Sequence, residues 1–395
     1  MRKVKLNEIT LNVTDGKHGD CKNQDGSGYY FISCKDVADG MIHYEKARQI
    51  TKDDFIEADR RTNLAAGDIL ITNSGTIGRM AFVKDIPETR RTTFQKSVAI
   101  VRADENSIQP NYLYYLLQSK VGDFVNSSNG VAQKNLLLST MRDFDIVYEE
   151  DKAAQHRLAT ILSRYDSLIE NYQKQIKLLE EAAQRLYKEW FIDLRFPGYE
   201  NTNNVDGVPE GWEKKSVGQI GEYLNGFAFK PSDWQEIGKP IIKIKEMGNG
   251  VTNDTPRYNG ERVPEKYLIK AGDLLFSWSA TLMVIIWSGE EGWLNQHLFK
   301  VTPAKGISRE FLLQSISNTI VEFQNLTTGS TMKHIQRNKL DQVFVNVPNT
   351  EIMERYADIS EKTRSSILSL QSQLHLLAEA RDRLLPKLIS GEIEV

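Results

Sequence analysis

From Leu158 the apolar residues fall on two interlocked series seven positions apart: Leu162, Ile169, Ile176, Ala183 and Trp190, and Leu158, Tyr165, Tyr172, Leu179 and Leu186. An a/d seam of more than four heptads predicts a long helix that buries one stripe against a partner helix. A second stretch repeats the phase, with Ile367, Leu374 and Leu388 in one series and Leu370, Leu377 and Leu384 in the other. Thr350 is its expected N-cap, with Glu351 and Glu354 well placed in the first turn. Pro386 is expected to kink or end this helix, because proline has no interior N–H to donate.

Outside the helices the pattern changes to short β-branched runs. DILITNS (68–74), SVAIV (97–101) and FDIVY (144–148) read as strands, and residues 111–124 have helical spacing through Leu113, Leu116, Leu117 and Val121. DLLFSWS, LMVIIWS, VFVNV and a helix over 309–323 follow the same plan further on.

The likeness extends to wording. KLLEEAAQRL (177–186) returns as HLLAEARDRL (375–384), GDIL (67–70) as GDLL (272–275), and YLLQS (115–119) as FLLQS (311–315). Asn129-Gly130 with Lys134 answers Thr328-Gly329 with Lys333. The order is the same in both halves, so the chain is a tandem duplication. The expected organisation is a globular domain over 1–149, a spacer helix over 150–196, a second domain over 197–348 and a second helix over 349–395. The turn-rich RFPGYENTNNVDGVPEG (195–211) marks the seam.

Composition narrows the class. At 395 residues, 40% hydrophobic and 26% charged, the chain suits two soluble globular cores. The strongest apolar run, 282–287, is far below the ~20 residues of a membrane span, and MRKVKLNEIT does not read as a secretory leader. Cys21 and Cys34 lack any zinc-type spacing and are expected as reduced thiols in a cytoplasmic protein. A net charge of −3 means that any nucleic-acid surface must be local.

The first helix leads into the second domain, and the second helix leaves it. For the two seams to meet along their length, the second must run back, so the pairing is antiparallel. The expected fold is α+β: two mixed α/β heads related by a pseudo-two-fold axis, with an antiparallel coiled coil between them. A helix of about 40 residues at ~1.5 Å per residue would hold the heads roughly 60 Å apart. Duplex DNA, with its antiparallel strands, offers two matching patches at such a separation.

Here a resemblance becomes specific. GDILITNSGTIGRMAFV (67–83), WFIDLRFPGYE (190–200), VPEGWEKKSVGQI (208–220), LNQHLFKV (294–301) and LLPKLISGEI (384–393) together resemble the specificity subunits of type I restriction-modification enzymes, across essentially the whole chain. The resemblance implies that each head is a target-recognition domain for half of an asymmetric bipartite DNA site. It implies a non-catalytic chain working with two modification subunits, which carry S-adenosylmethionine, and with restriction subunits that cleave. The first head lacks the PEGW opening, and the second has SWSATLM where the first has NSGTIGR.

No phosphate loop, dinucleotide fingerprint, adenine-methyltransferase Asn-Pro-Pro stretch or hydrolase triad is legible, and the six histidines are scattered. No metal site, and no cofactor bound by this chain, is expected. DNA contacts are therefore sought in loops. In the first head the candidates are Asn73, Ser74, Thr76 and Arg79, the cations Lys84, Arg90, Arg91 and Lys96, and Gln95, Gln133, Lys134 and Asn135. Arg102 belongs to the same basic cluster. Their counterparts are Lys243, Lys245, Ser277, Ser279, Thr281, Gln296, His297, Thr331, Lys333 and His334. Helix pairing is assigned to Leu162, Tyr165, Ile169, Tyr172, Ile176, Leu179, Leu186, Ile367, Leu370, Leu374, Leu377 and Leu384. Two further readings stay open: a coiled-coil scaffold whose heads bind protein, and a stand-alone DNA-binding regulator.

Overall fold

A computed structural model describes residues 1–128, 135–205, 207–326 and 337–395. The chain forms two compact units, Met1–Glu170 with Leu376–Val395, and Asn171–His375. Each unit takes part of both long helices.

In the first unit four antiparallel strands lie in the order Thr10–Asp15, Val98–Ala103, Ile69–Thr72, Met80–Phe82. Beside them Tyr30–Ile32 pairs in parallel with Thr92–Phe94 and antiparallel with Arg48–Gln49. Arg2–Lys5 pairs with Asp145–Tyr148. The second unit repeats the four-stranded order with Gly221–Asn225, Leu298–Pro303, Leu274–Ser277 and Met283–Ile286. It repeats the parallel pair with Lys239–Ile242 and Gly292–Leu294, and the outer pair with Glu213–Ser216 and Phe344–Val347. These shared pairings are what the repeated wording implied, although the smaller sheet has three strands in the first unit and four in the second.

The strands read as unbroken apolar runs because the sheet is covered on both faces. Ile69, Ile71, Ala99 and Val101 join one core, whereas Leu70, Val98 and Ile100 join another. In the second unit Leu274, Phe276, Phe299 and Val301 separate from Leu275 and Leu298 in the same way. A strand buried on two sides loses the alternation of a half-solvated one.

One glycine per unit allows the two sheets to meet. Gly16 donates to the Val98 carbonyl and Gly226 to the Leu298 carbonyl. A Cβ on Gly16 would lie 1.9 Å from the Phe94 carbonyl oxygen, and on Gly226 2.1 Å from that of Asn295. Because backbone must move to admit a methyl group at either place, Gly226→Ala is expected to cost about 1–3 kcal/mol, the usual toll of overpacking. All six tryptophans lie in the second unit, so a urea titration followed by tryptophan fluorescence reads this loss directly. An unchanged midpoint would show that the sheets part freely.

The long helices span Lys152–Tyr187 and Thr350–Ser390. Within the first unit Arg381 bonds Asp166 and Arg157 bonds the Val395 carbonyl; within the second, Tyr356 packs on Tyr187 and Trp190. In each unit, later residues of one helix meet earlier residues of the other, which is antiparallel packing. The seam positions are buried or half-buried, with Leu162 and Ile367 fully enclosed.

Three local expectations are corrected. The helix runs through Pro386 to Ser390, its last turn held by Leu388 and Ile389 in the first unit's core. Thr350 is the first helical residue, and the cap is Asn349, whose Oδ1 accepts from the Ile352 N–H at 3.0 Å. The helix expected over 111–124 divides into Pro110–Ser119 and Val121–Asn126, because Lys120 leaves helical dihedrals; its counterpart Arg309–Leu326 is continuous.

Both units anchor a long helix with charge. Asp166 receives the Tyr115 hydroxyl at 2.6 Å and Arg381 at 2.9 Å, and burial beside this carboxylate pushes the Tyr115 phenol far above its ordinary range. In the second unit Arg364 grips Glu310 through two bonds of 2.7 and 3.2 Å, the side chains only 7% and 1% exposed.

Candidate nucleic-acid interface

The candidate loops are hairpin turns at one end of each four-stranded sheet. Thr72 and Ser277, both fully buried, close them identically. The Thr72 hydroxyl donates to the Thr76 carbonyl at 2.5 Å and accepts from the Arg79 N–H at 2.9 Å. That of Ser277 donates to Thr281 at 2.5 Å and accepts from Met283 at 2.9 Å. The apex residue is left-handed in each, Gly75 at φ 80° and Ala280 at φ 56°. Glycine takes this conformation freely; for alanine it costs roughly 1–2 kcal/mol, so the second loop holds backbone strain that the first avoids.

Backbone bonds tie these hairpins to neighbouring turns. Asn73 donates to the Ser97 carbonyl at 3.1 Å and accepts from the Leu136 N–H at 2.8 Å, and Ser74 bridges to Asn135. Lys96 donates to the Lys17 carbonyl, and Gln95 to that of Ile32. The structure thus gathers Asn73, Ser74, Thr76, Arg79, Gln95, Lys96 and Asn135 along one edge. In the second unit Trp278 donates to the His297 carbonyl and Asn295 to that of Ile242, so the hairpin, Gln296, His297 and Lys243 adjoin. Gln133, Lys134, Thr331, Lys333 and His334 lie outside the described residues.

Burial divides the candidates. Thr76, Arg79, Arg90, Arg91, Lys96, Asn135, Lys245 and Thr281 are exposed, and Ser74, Gln95, Gln296 and His297 are half-buried. Asn73, Ser277 and Ser279 are buried. The Ser277 hydroxyl is spent inside its own loop, so its part is to shape the hairpin. Among the described residues Arg79 and Lys96 make no ion pair, whereas Lys84 is taken by Glu170 and Arg90 lies 3.7 Å from Asp85. Arg102 gives its fork to Asp68 and leaves the basic cluster. Lys243 sits 4.3 Å over the Trp234 ring, and burial pulls its pKa below the ordinary lysine value.

Sequence reasoning passed over Trp278 and Lys17. The Trp278 indole donates to Asn225 Oδ1 at 3.1 Å and its ring lies 5.6 Å from His297. The Lys17 ammonium bonds Glu57 at 3.0 Å. Aligning Gly16 with Gly226 finds Lys17, and the unmatched SWSAT against NSGT finds Trp278.

Comparison with known proteins bears on this arrangement. The profile of the type I restriction modification DNA specificity domain matches residues 4–181 and again 209–374. The chain belongs to that family. As a type I restriction-modification specificity subunit, it is 26% identical to the MjaIX specificity subunit of Methanocaldococcus jannaschii, across 94% of this chain and 88% of that one. To the HindI specificity subunit of Haemophilus influenzae it is 24% identical, across 92% and 94%. The crystal structure of a type I system S subunit from M. genitalium superposes with a TM-score of 0.56 at 14% identity, covering 98% of this specificity subunit and 96% of that chain, a likeness of fold. Among the described residues no helix is long and apolar enough to cross a membrane, and no His, Cys, Asp and Glu cluster has the makings of a metal site.

Proposed function

We propose that each unit of this specificity subunit reads one half of an asymmetric bipartite DNA sequence, with the paired helices as spacer and as docking site for two modification subunits. The observation that carries this reading is the hairpin built twice on the same hydroxyl lock yet furnished differently. Arg79 closes one and Met283 the other, on loops of different length. A shared frame with divergent side chains suits two readers of unlike half-sites, because base edges are distinguished by individual polar groups while phosphate contacts fix register.

This chain contributes no catalytic group in this reading. A partner modification subunit carries S-adenosylmethionine and methylates an adenine drawn out of the stack, and restriction subunits join for cleavage. The test is modified-base sequencing of the host genome with this gene intact, deleted, and with its first unit exchanged for that of a relative. Deletion is expected to erase N6-methyladenine at one split motif, and the exchange to rewrite only one half. A rewritten motif in both halves, or no change on deletion, would overturn the assignment.

A further inference from the structure

Inside the second unit a cavity of about 330 Å³ opens between the long helices, the Arg309–Leu326 helix and the Met283–Ile286 strand. Its walls carry Glu180, Gln314, Arg364 and Gln371 beside apolar Met247 and Ile286. Gln184, Ser288 and Ser317 complete its polar lining, and among all these groups two amide oxygens and a carboxylate stand without a donor. The Arg364 guanidinium is committed to Glu310. Gln314 is 4% exposed, and its Oε1 has no donor; Gln371 Oε1 is equally enclosed and equally without one. Glu180 makes no hydrogen bond or ion pair among the described residues, and burial lifts its carboxyl above the ordinary range despite the opposing charge of Arg364.

The first unit offers an internal comparison. Gln118, the counterpart of Gln314, donates to the Tyr114 hydroxyl at 2.7 Å. The position of Tyr114 is held in the second unit by Glu310, which turns to Arg364, so the amide of Gln314 has no tyrosine hydroxyl beside it. A buried oxygen left without a donor forfeits the hydrogen bond that water would give it, and two such oxygens and an unpaired carboxylate line this one cavity.

We propose that this cavity binds an organic cation, an alkylammonium or guanidinium head whose N–H groups reach Glu180, Gln314 and Gln371. An ammonium brings three donors and a guanidinium five, with no acceptor on either. The carboxylate sets the sign of the ligand, and the apolar wall suits an alkyl stem better than a hydrated metal ion. Such a cation could be a free polyamine or a Lys or Arg side chain of a partner protein, both having the same head.

The test titrates the full chain, in phosphate buffer with potassium chloride held constant, with butylammonium, butylguanidinium and spermidine, and follows binding by calorimetry. Saturable binding is expected, weakened at least ten-fold by Glu180→Gln and several-fold by Gln371→Ala, and unaltered by Glu181→Gln on the next residue. Glu180→Gln keeps shape and removes a charge that burial already disfavours, so its tryptophan-monitored urea transition should match that of the parent protein. Spermidine binding ten-fold or more above butylammonium would point to a free polyamine, and near-equal affinities to a side chain from a partner. No saturable binding by the parent protein, or equal binding by Glu180→Gln, would overturn the proposal. Genomic methylation is read separately, so failure here leaves the specificity role untouched.

Discussion

Arg364→Met is expected to destabilise the second unit by about 3–5 kcal/mol, the cost of leaving a buried charge without its partner. Glu310 is 1% exposed and both of its oxygens are held by this one guanidinium. Methionine fills much of the stem volume but gives the carboxylate nothing. The double change Glu310→Leu with Arg364→Met should recover most of the loss, since replacing a buried pair by apolar groups is often neutral or better. Tryptophan fluorescence in urea distinguishes the cases, all six indoles being in this unit. A single variant as stable as its parent would show that water or a neighbour reaches Glu310. Arg381→Met in the first unit should cost less, because the Arg381 and Asp166 side chains are 25% and 30% exposed and solvent can serve the remaining carboxylate.

Replacing Arg79 and Lys96 together by glutamine is expected to weaken DNA binding by the complex assembled with modification subunits and to flatten its salt dependence. Each phosphate that the protein ceases to neutralise lowers the slope of log affinity against log salt by about 0.9, so two should lower it by roughly 1.8. These two cations are exposed, unpaired among the described residues and joined to the same edge by the backbone bonds of Asn73 and Lys17. Lys84→Gln serves as the contrast, since Glu170 already neutralises that ammonium. Equal slopes for the double variant and the parent would remove this edge from the DNA-facing surface.

Much of the fold was legible because burial leaves a strong trace in short runs. GDILIT and GDLLFS named the central strands, and the seven-residue series named the helices and their antiparallel sense. What was hidden depended on partners distant in sequence. Lys84 looks like a free cation until Glu170 is brought against it, and Arg102 likewise until Asp68 turns toward it. Ser277 and Ser279 look like polar loop residues until the hairpin folds their side chains inward. The helix does not end at Pro386 for the same reason. Proline weakens a helix locally, but Leu388 and Ile389 are held in a core that no local rule contains.

The division of the chain into Met1–Glu170 with Leu376–Val395 and an uninterrupted Asn171–His375 has a consequence for biosynthesis. On the ribosome the second unit has every residue it needs before the first does. The first must wait with Leu158 and Leu162 uncovered until Leu388 and Ile389, made after the whole second unit, arrive to close its core. The unit begun earlier is thus completed later, and a product cut short within the second unit is left with an open apolar face that quality control can recognise.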